Sequence, residues 1–203
     1  MKYYLNKKKF TAFTLVEILV TMSIISILAA MSISAYPKFS EQMALTSETY
    51  KILAYFRETQ VFGVSALVTP GTKIAYAIRM NKTSNTIDRM IVVNPTDNKN
   101  SYYSSDGVVD TTSPSLQIKE NFEISEINGI LQNSTTSLDT MYSYFKRPNP
   151  ESRLFGMVGV NIVPGTSLEN FSKIEIILRS KKNNVFKKKI VILQTGQMYV
   201  SDW

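Results

Sequence analysis

The chain has 203 residues, 23 of them basic and 16 acidic, and contains neither cysteine nor histidine. The first absence excludes a disulfide framework and thiolate metal sites, and the second removes the commonest general base and metal ligand. Four of the seven excess positive charges are Lys2, Lys7, Lys8 and Lys9, so the basicity belongs mainly to the N-terminus and argues poorly for nucleic acid binding. A site built from carboxylates alone, or from a Ser/Lys dyad, remains open. The length suits one modest domain plus an anchor.

The N-terminal forty residues carry most of the information. A basic start, MKYYLNKKKF, precedes FTLVEILVTMSIISILAAMSISAY, and Glu17 is the one charge between Lys9 and Lys38. A helix needs about 20 apolar residues to cross a bilayer, and this run supplies them. The flanking lysines place its N-terminal end in the cytoplasm. A secretory signal has an apolar core of about 7–15 residues, shorter than this run, with its cut after that core. A plain anchor explains the length and the lysines but not Glu17. A carboxylate inside a membrane helix costs roughly 2.5–3.5 kcal/mol on insertion scales and marks a functional pairing.

Lys7-Lys8-Lys9-Phe10-Thr11-Ala12 followed by Phe13-Thr14-Leu15-Val16-Glu17 resembles the signal of type IV prepilins and pseudopilins. The resemblance implies cleavage between Ala12 and Phe13 by a prepilin peptidase that also N-methylates Phe13. It implies too that Glu17 takes the role of the glutamate at the fifth mature position, pairing with the Phe13 amine of a neighbouring subunit. A new amine with an unperturbed pKa of about 7.7–8.0 is largely cationic near neutrality, and both buried charges need partners. Three positions depart from the family pattern. Ala12 stands where glycine is usual, Ser34 stands where many members have a kinking proline, and Ser26 replaces a mid-run glycine. Pro37 places the expected kink three residues later.

After Pro37 the pattern turns amphipathic, with Phe39, Met43, Tyr50, Leu53 and Ala54 as the apolar positions. Lys38, Glu41, Glu48, Lys51, Arg57 and Glu58 fall between them. Gly63 or the Pro70-Gly71 turn is the expected end of a helix roughly 75 Å long. The expected organisation is a leader at 1–12 and a helix at 13–64, split into a transmembrane half (13–36) and an amphipathic half (37–64). A β-rich extracytoplasmic head at 65–203 follows.

Within the head, 73–80 and 89–93 read as strands around a polar turn at 81–88. Residues 94–115 read as a surface loop, and 116–118, 122–127 and 154–163 as further strands. Residues 173–179 and 185–193 read as a hairpin across Lys-Lys-Asn-Asn, and Thr195-Gly196 turns into a last strand at 197–200. The class is α+β, a long N-terminal helix with a pilin-like β-rich head. The closing layout is similar to GspH/FimT-like minor pseudopilins. The absence of cysteine removes the disulfide loop of many major pilins, and no acidic cluster stands out as a calcium loop; both favour a minor or atypical subunit.

Arg179, Lys181, Lys182, Lys187, Lys188 and Lys189 cluster around the hairpin, with Phe186 among them. Clustered cations bind phosphates by counterion release, and an aromatic ring stacks on bases. The bland reading, a solvated hairpin whose edge lysines discourage sheet aggregation, is favoured. Asp106, Asp110, Glu120, Glu123 and Glu126 show no catalytic spacing, and Asp106-Gly107 is first a turn signal. Asn133-Ser134-Thr135 matches a glycosylation triplet that is common by chance. Tyr102-Tyr103 and Tyr142–Phe145 read as aromatic loop features serving packing or subunit contact.

The expected function is a structural, non-enzymatic subunit, minor in type, of a type IV pilus or a type II secretion-like pseudopilus. It starts in the cytoplasmic membrane with its N-terminus inside and ends in an extracytoplasmic filament. Its implied partners are the prepilin peptidase/N-methyltransferase, other pilin or pseudopilin subunits, the inner-membrane assembly platform and, before assembly, membrane lipid. No cofactor or metal is expected. The alternatives are a filament-tip subunit that binds DNA or surfaces through the basic hairpin, and a membrane-anchored extracytoplasmic enzyme.

Overall fold

The computed structural model describes residues 13–65, 74–93, 107–109, 115–132, 134–145, 151–164 and 170–202. Among the described residues there is one helix, α1 (Leu15–Ser65), which contains Pro37. By its internal contacts the chain forms two units that meet in sequence at Glu41 and Gln42.

In the first unit every described large apolar side chain from Phe13 to Phe39 is exposed. The run is long and apolar enough to cross a membrane. Its hydroxyls do not break that character. Ser23 donates to the Leu19 carbonyl at 2.8 Å, Ser26 to Met22 at 2.7 Å and Ser32 to Leu28 at 2.9 Å. Each hydroxyl proton is spent on the preceding turn, so it presents no orphaned donor to a medium without water.

The second unit begins with the remainder of α1. Its buried face is Leu45, Ile52, Leu53 and Phe56, together with Glu48, Thr49 and Thr59. This differs from the apolar face expected from the sequence, since Phe39, Met43 and Tyr50 are exposed and of that set Leu53 is the one in the core. The polar residues on the true face conceal its period. Thr49 and Thr59 donate to the Leu45 and Tyr55 carbonyls at 2.8 and 2.9 Å, which lets them lie in the core without unsatisfied hydroxyls.

The strands are β1 (Ile74–Asn81), β2 (Thr86–Val93), β3 (Gly107–Val109), β4 (Leu116–Gln117), β5 (Phe122–Leu131) and β6 (Ser134–Ser137). They continue with β7 (Thr140–Phe145), β8 (Ser152–Val158), β9 (Asn161–Val163), β10 (Lys173–Ser180), β11 (Lys187–Leu193) and β12 (Met198–Asp202). They form two antiparallel sheets. The first has the order β3-β2-β1-β7-β8-β9, with β4 also on β2, and the second runs β12-β11-β10-β5-β6. The main core joins the buried helix face to Ile78, Met80 and Ile87 of the first sheet and to Ile127, Ile176 and Ile190 of the second. A smaller cluster of Ala75, Ala77, Met90, Val92, Tyr144 and Phe155 belongs to the first sheet.

Most expected strands are present with altered ends. The turn expected at 81–88 shrinks because β1 and β2 run into it. The strand expected over 154–163 is two strands around Gly159, whose φ of 59° is the left-handed conformation glycine tolerates best. Tyr142–Phe145 is no loop. It belongs to β7, paired with β1 on one side and β8 on the other, and all six of its residues are buried. A strand covered on both faces loses the alternation that reveals strands in a sequence. Of the expected loop at 94–115, residues 107–109 form β3 and 94–106 and 110–114 lie outside the described residues, as do Tyr102, Tyr103, Asp106, Asp110 and Asn133.

Gly63 does not end the helix; it seats the helix on β7. A Cβ placed there would lie 2.5 Å from Phe145 Cβ and 3.0 Å from its carbonyl oxygen. Gly63→Val forces helix and strand apart and is expected to cost about 3 kcal/mol or more, at the upper end for overpacking. Thermal unfolding of the full chain in detergent micelles tests this, and a wild-type melting curve would refute it.

Candidate functional site

The N-terminal site starts at Phe13, which is 81% exposed. Thr14 precedes the first helical residue and Glu17 stands in the first turn. The Thr14 amide and hydroxyl both donate to Glu17 Oε2, at 2.8 and 2.9 Å, and the Glu17 amide donates back to Thr14 Oγ1 at 3.2 Å. This is a capping box, with the helix's first free amides answered by side-chain oxygens and the carboxylate near the positive end of the helix dipole. Thr14 was not singled out from the sequence, although Thr-x-x-Glu before an apolar run is the signal that would have found it. Both donors lie on the C-terminal side of the expected Ala12/Phe13 cut. Ala12 itself lies outside the described residues.

The basic hairpin is organised differently from a single patch. Strand alternation places Lys188 on the opposite side of β11 from Lys187 and Lys189. Arg179 sits across from Glu123 and bonds it through Nε at 2.6 Å. Lys188 sits across from Asp202 and is ion-paired to it. Lys189 Nζ reaches Glu175 Oε2 at 3.3 Å. These are cross-strand pairs of the kind that stabilise antiparallel sheets. Lys181 and Lys182 are exposed in the connecting turn. Three of the six cations are thus tied to carboxylates of the same sheet.

Glu175 gives that network a pH signature. Burial pushes its carboxyl up, but the Lys173 hydrogen bond and the charges of Lys189 and Lys173 outweigh this and hold it below the ordinary glutamate value. A depressed folded-state value stabilises the fold above the unfolded-state value, and that contribution is lost as pH falls through the folded one. Glu175→Gln is therefore expected to narrow the stability difference between neutral pH and pH values below about 4.3, the unperturbed value for a glutamate. Denaturant titrations at both ends test it, and an unchanged difference would refute it.

Two charged residues inside the head were not anticipated. Arg89 on β2 is 1% exposed. Its Nη2 donates to Glu58 Oε2 at 2.7 Å, its Nε to Thr59 Oγ1 at 3.0 Å, and its guanidinium lies 4.7 Å from the ring centroids of both Tyr55 and Phe62. Those four residues share one helix face at three- and four-residue steps, so one guanidinium ties two turns of α1 to β2. Glu48, expected on the polar side, is also 1% exposed. It accepts from Lys51 Nζ at 3.2 Å and from the Lys119 amide at 3.3 Å. Burial next to cations is the favourable place for such a carboxylate.

Among the described residues no group of three or more acidic side chains gathers as a metal site. A polar recess of about 390 Å³ lies among Arg79, Asn81, Thr83, Asp88, Thr140 and Tyr142. Asp88 is already held there by Arg79 at 2.7 Å and by Ser115 at 2.8 Å.

Residues 7–33 match the family described as the prokaryotic N-terminal methylation motif. The match covers the basic stretch, the expected cut, the capping box and most of the apolar run. It supports a type IV pilin or pseudopilin precursor, and with it a structural subunit that is membrane-anchored, processed by a prepilin peptidase and assembled with other pilins. No curated protein and no solved structure matches the chain.

Proposed function

We propose that this chain is a minor subunit of a type IV pilus or type II secretion-like pseudopilus, of the GspH/FimT-like kind. It is held in the cytoplasmic membrane by residues 13–36, N-terminus inside. Prepilin peptidase removes the leader 1–12 by cutting between Ala12 and Phe13, and Phe13 is N-methylated. The assembly platform then delivers the subunit into a filament, with 37–64 joining the apolar half to the head and 65–203 outermost. Glu17 of one subunit pairs with the Phe13 amine of its neighbour and sets the axial register.

The observation that carries this reading is the capping box inside the matched motif. It keeps Glu17 at the first turn of an otherwise apolar, exposed helix, next to where the cut would create an amine. Both bonds from Thr14 go to Oε2, and the box makes no use of Oε1. An apolar helix exposed all round needs lipid or other helices about it, and the two stages of assembly supply each in turn. A head of two antiparallel sheets after the helix, without cysteine, supports the minor-subunit assignment.

The test is N-terminal mass spectrometry of the protein from sheared surface filaments and, separately, from membranes. A chain beginning at N-methylated Phe13 in the filament fraction is the expected result. A chain beginning at Met1 in an active native host would refute the processing scheme and leave Glu17 as an unexplained membrane charge.

A further inference from the structure

We propose that the end of the head where its helix begins is a docking surface for anionic lipid headgroups. It would be used while the subunit is still membrane-held, and it rests on the reading that residues 13–36 span the bilayer. Gln42 and Leu45 line a recess of about 290 Å³ with Val185, Phe186, Lys188 and Asp202, so the tip of the β10–β11 hairpin lies at this end. The Lys119 amide donates to Glu48 at 3.3 Å, and Glu48 lies nearer Gln42 than Arg57 along the helix, which brings the 117–121 turn toward this end. The opposite end is marked by Arg57 on the Met198 carbonyl and Gln60 on the Gly196 carbonyl, each at 3.1 Å.

A chain of hydrogen bonds joins the other tips to this rim. The Lys181 amide donates to the Asn121 carbonyl at 2.9 Å, Ile118 to Asn85 at 2.8 Å and Lys82 to Asp139 at 2.8 Å. The Gly159 amide donates to Asp139 Oδ2 at 2.7 Å. The rim therefore carries Lys82, Lys119, Lys181 and Lys182. It also carries Val160 and Val185, which are 88% and 81% exposed on two separate hairpins. One exposed valine means nothing on a protein surface. Two at the same end, set among four lysines, match the chemistry of a headgroup layer, where ammonium groups meet phosphates and short apolar tips enter the interface. Of the nearby acids, Asp202 is paired with Lys188 and the buried Glu48 with Lys51, while Glu120, Asp139 (which accepts from the Gly159 amide) and Glu41, next to Gln42, keep their charge beside the lysines.

Chain length favours lipid over DNA. Six residue steps separate Tyr36, at the end of the apolar run, from Gln42, and fully extended they span about 20 Å. Gln42, where the head begins, therefore stays within that distance of the bilayer. The strand cations that would extend a nucleic acid track are divided between two sheet faces and partly paired.

The absence of cysteine permits a direct test with single nitroxide labels. Val185→Cys, Val160→Cys and, at the far-end turn, Thr195→Cys are made in the full chain. Each is reconstituted in phosphatidylcholine vesicles with or without phosphatidylglycerol, and flotation reports insertion. Relaxation by a water-soluble reagent and by oxygen then reports depth. With phosphatidylglycerol the two valine positions are expected to move toward lipid while position 195 stays aqueous. Lys181→Gln with Lys182→Gln should lower the docked-to-undocked ratio by about fivefold per lysine. Positions 185 and 160 as aqueous as 195 in both lipids would overturn the proposal. So would protection of position 185 by duplex DNA but not by anionic vesicles, which would make the rim a nucleic acid site. A chain that does not float with vesicles would overturn the membrane-spanning reading and this proposal with it, whereas a chain that floats with aqueous tips overturns the docking alone.

Discussion

Arg89→Ala is expected to destabilise the head by about 2–4 kcal/mol, among the largest losses available from one side chain. The guanidinium is 1% exposed and holds Glu58, Thr59, Tyr55 and Phe62 together. Truncation leaves a cavity between helix and sheet and removes two cation–π contacts, a buried one with Tyr55 worth about 2 kcal/mol and a partly exposed one with Phe62 worth about 0.5–1 kcal/mol, both offset by the cost of burying the charge. Glu58 is 55% exposed and can turn to solvent, so it is not stranded by the loss. Glu58→Ala has the opposite consequence, since it takes the carboxylate from a guanidinium that is 1% exposed, and should cost about 3 kcal/mol. Arg89→Met keeps most of the volume and should recover at least half of the loss. Melting of the full chain in detergent micelles reads these differences at about 2–4 °C per kcal/mol. A wild-type melting temperature for Arg89→Ala would show that the guanidinium does not secure α1 to β2.

Glu17→Gln is expected to lower incorporation into filaments by about a hundredfold or more while leaving the helix start intact. A glutamine carbonyl still accepts the Thr14 bonds that Glu17 Oε2 accepts at 2.8 and 2.9 Å, so the cap survives while the charge is lost. Removing one member of a buried pair costs about 3–5 kcal/mol, and each 1.4 kcal/mol is tenfold in an equilibrium. Thr14→Ala has the opposite profile, losing the cap at about 1 kcal/mol and keeping the charge, so incorporation should fall only severalfold. The measurement is the ratio of each variant to a tagged wild-type copy in sheared filaments, normalised to membrane levels. Equal incorporation of Glu17→Gln and wild type would remove the ion pair from the mechanism. Equal deficits for Glu17→Gln and Thr14→Ala would shift the essential role from the charge to the cap.

The hairpin of β10 and β11 illustrates how far local pattern goes. Its strands are short runs rich in isoleucine and valine, Ile174, Ile176 and Ile177 on one side and Ile190, Val191 and Ile192 on the other, and its Lys-Lys-Asn-Asn turn is strongly marked, so both are legible within a residue or two. Its lysines also looked like one cluster. Their separation by alternation and their capture by Glu123, Glu175 and Asp202 depend on which strands lie on either side. A residue's cross-strand partner is chosen by sheet topology, and β5 lies some fifty residues before β10 in the chain. The bulge that shifts register at Ile177/Leu178 is equally non-local, with the Ser125 hydroxyl donating to the Ile177 carbonyl at 3.1 Å.

By itself the sequence determined the N-terminal character: the basic start, the apolar run and the lone Glu17 are contiguous, and a helix in lipid is specified by its own residues and its medium. It also determined that a β-rich head follows, because short alternating runs between turn residues have few other outcomes. Only the tertiary structure decided which face of α1 is buried, why β7 is central, and that Arg89 and Glu48 lie inside. Those outcomes rest on contacts between residues far apart in the chain, where a charge is buried only because a distant partner meets it.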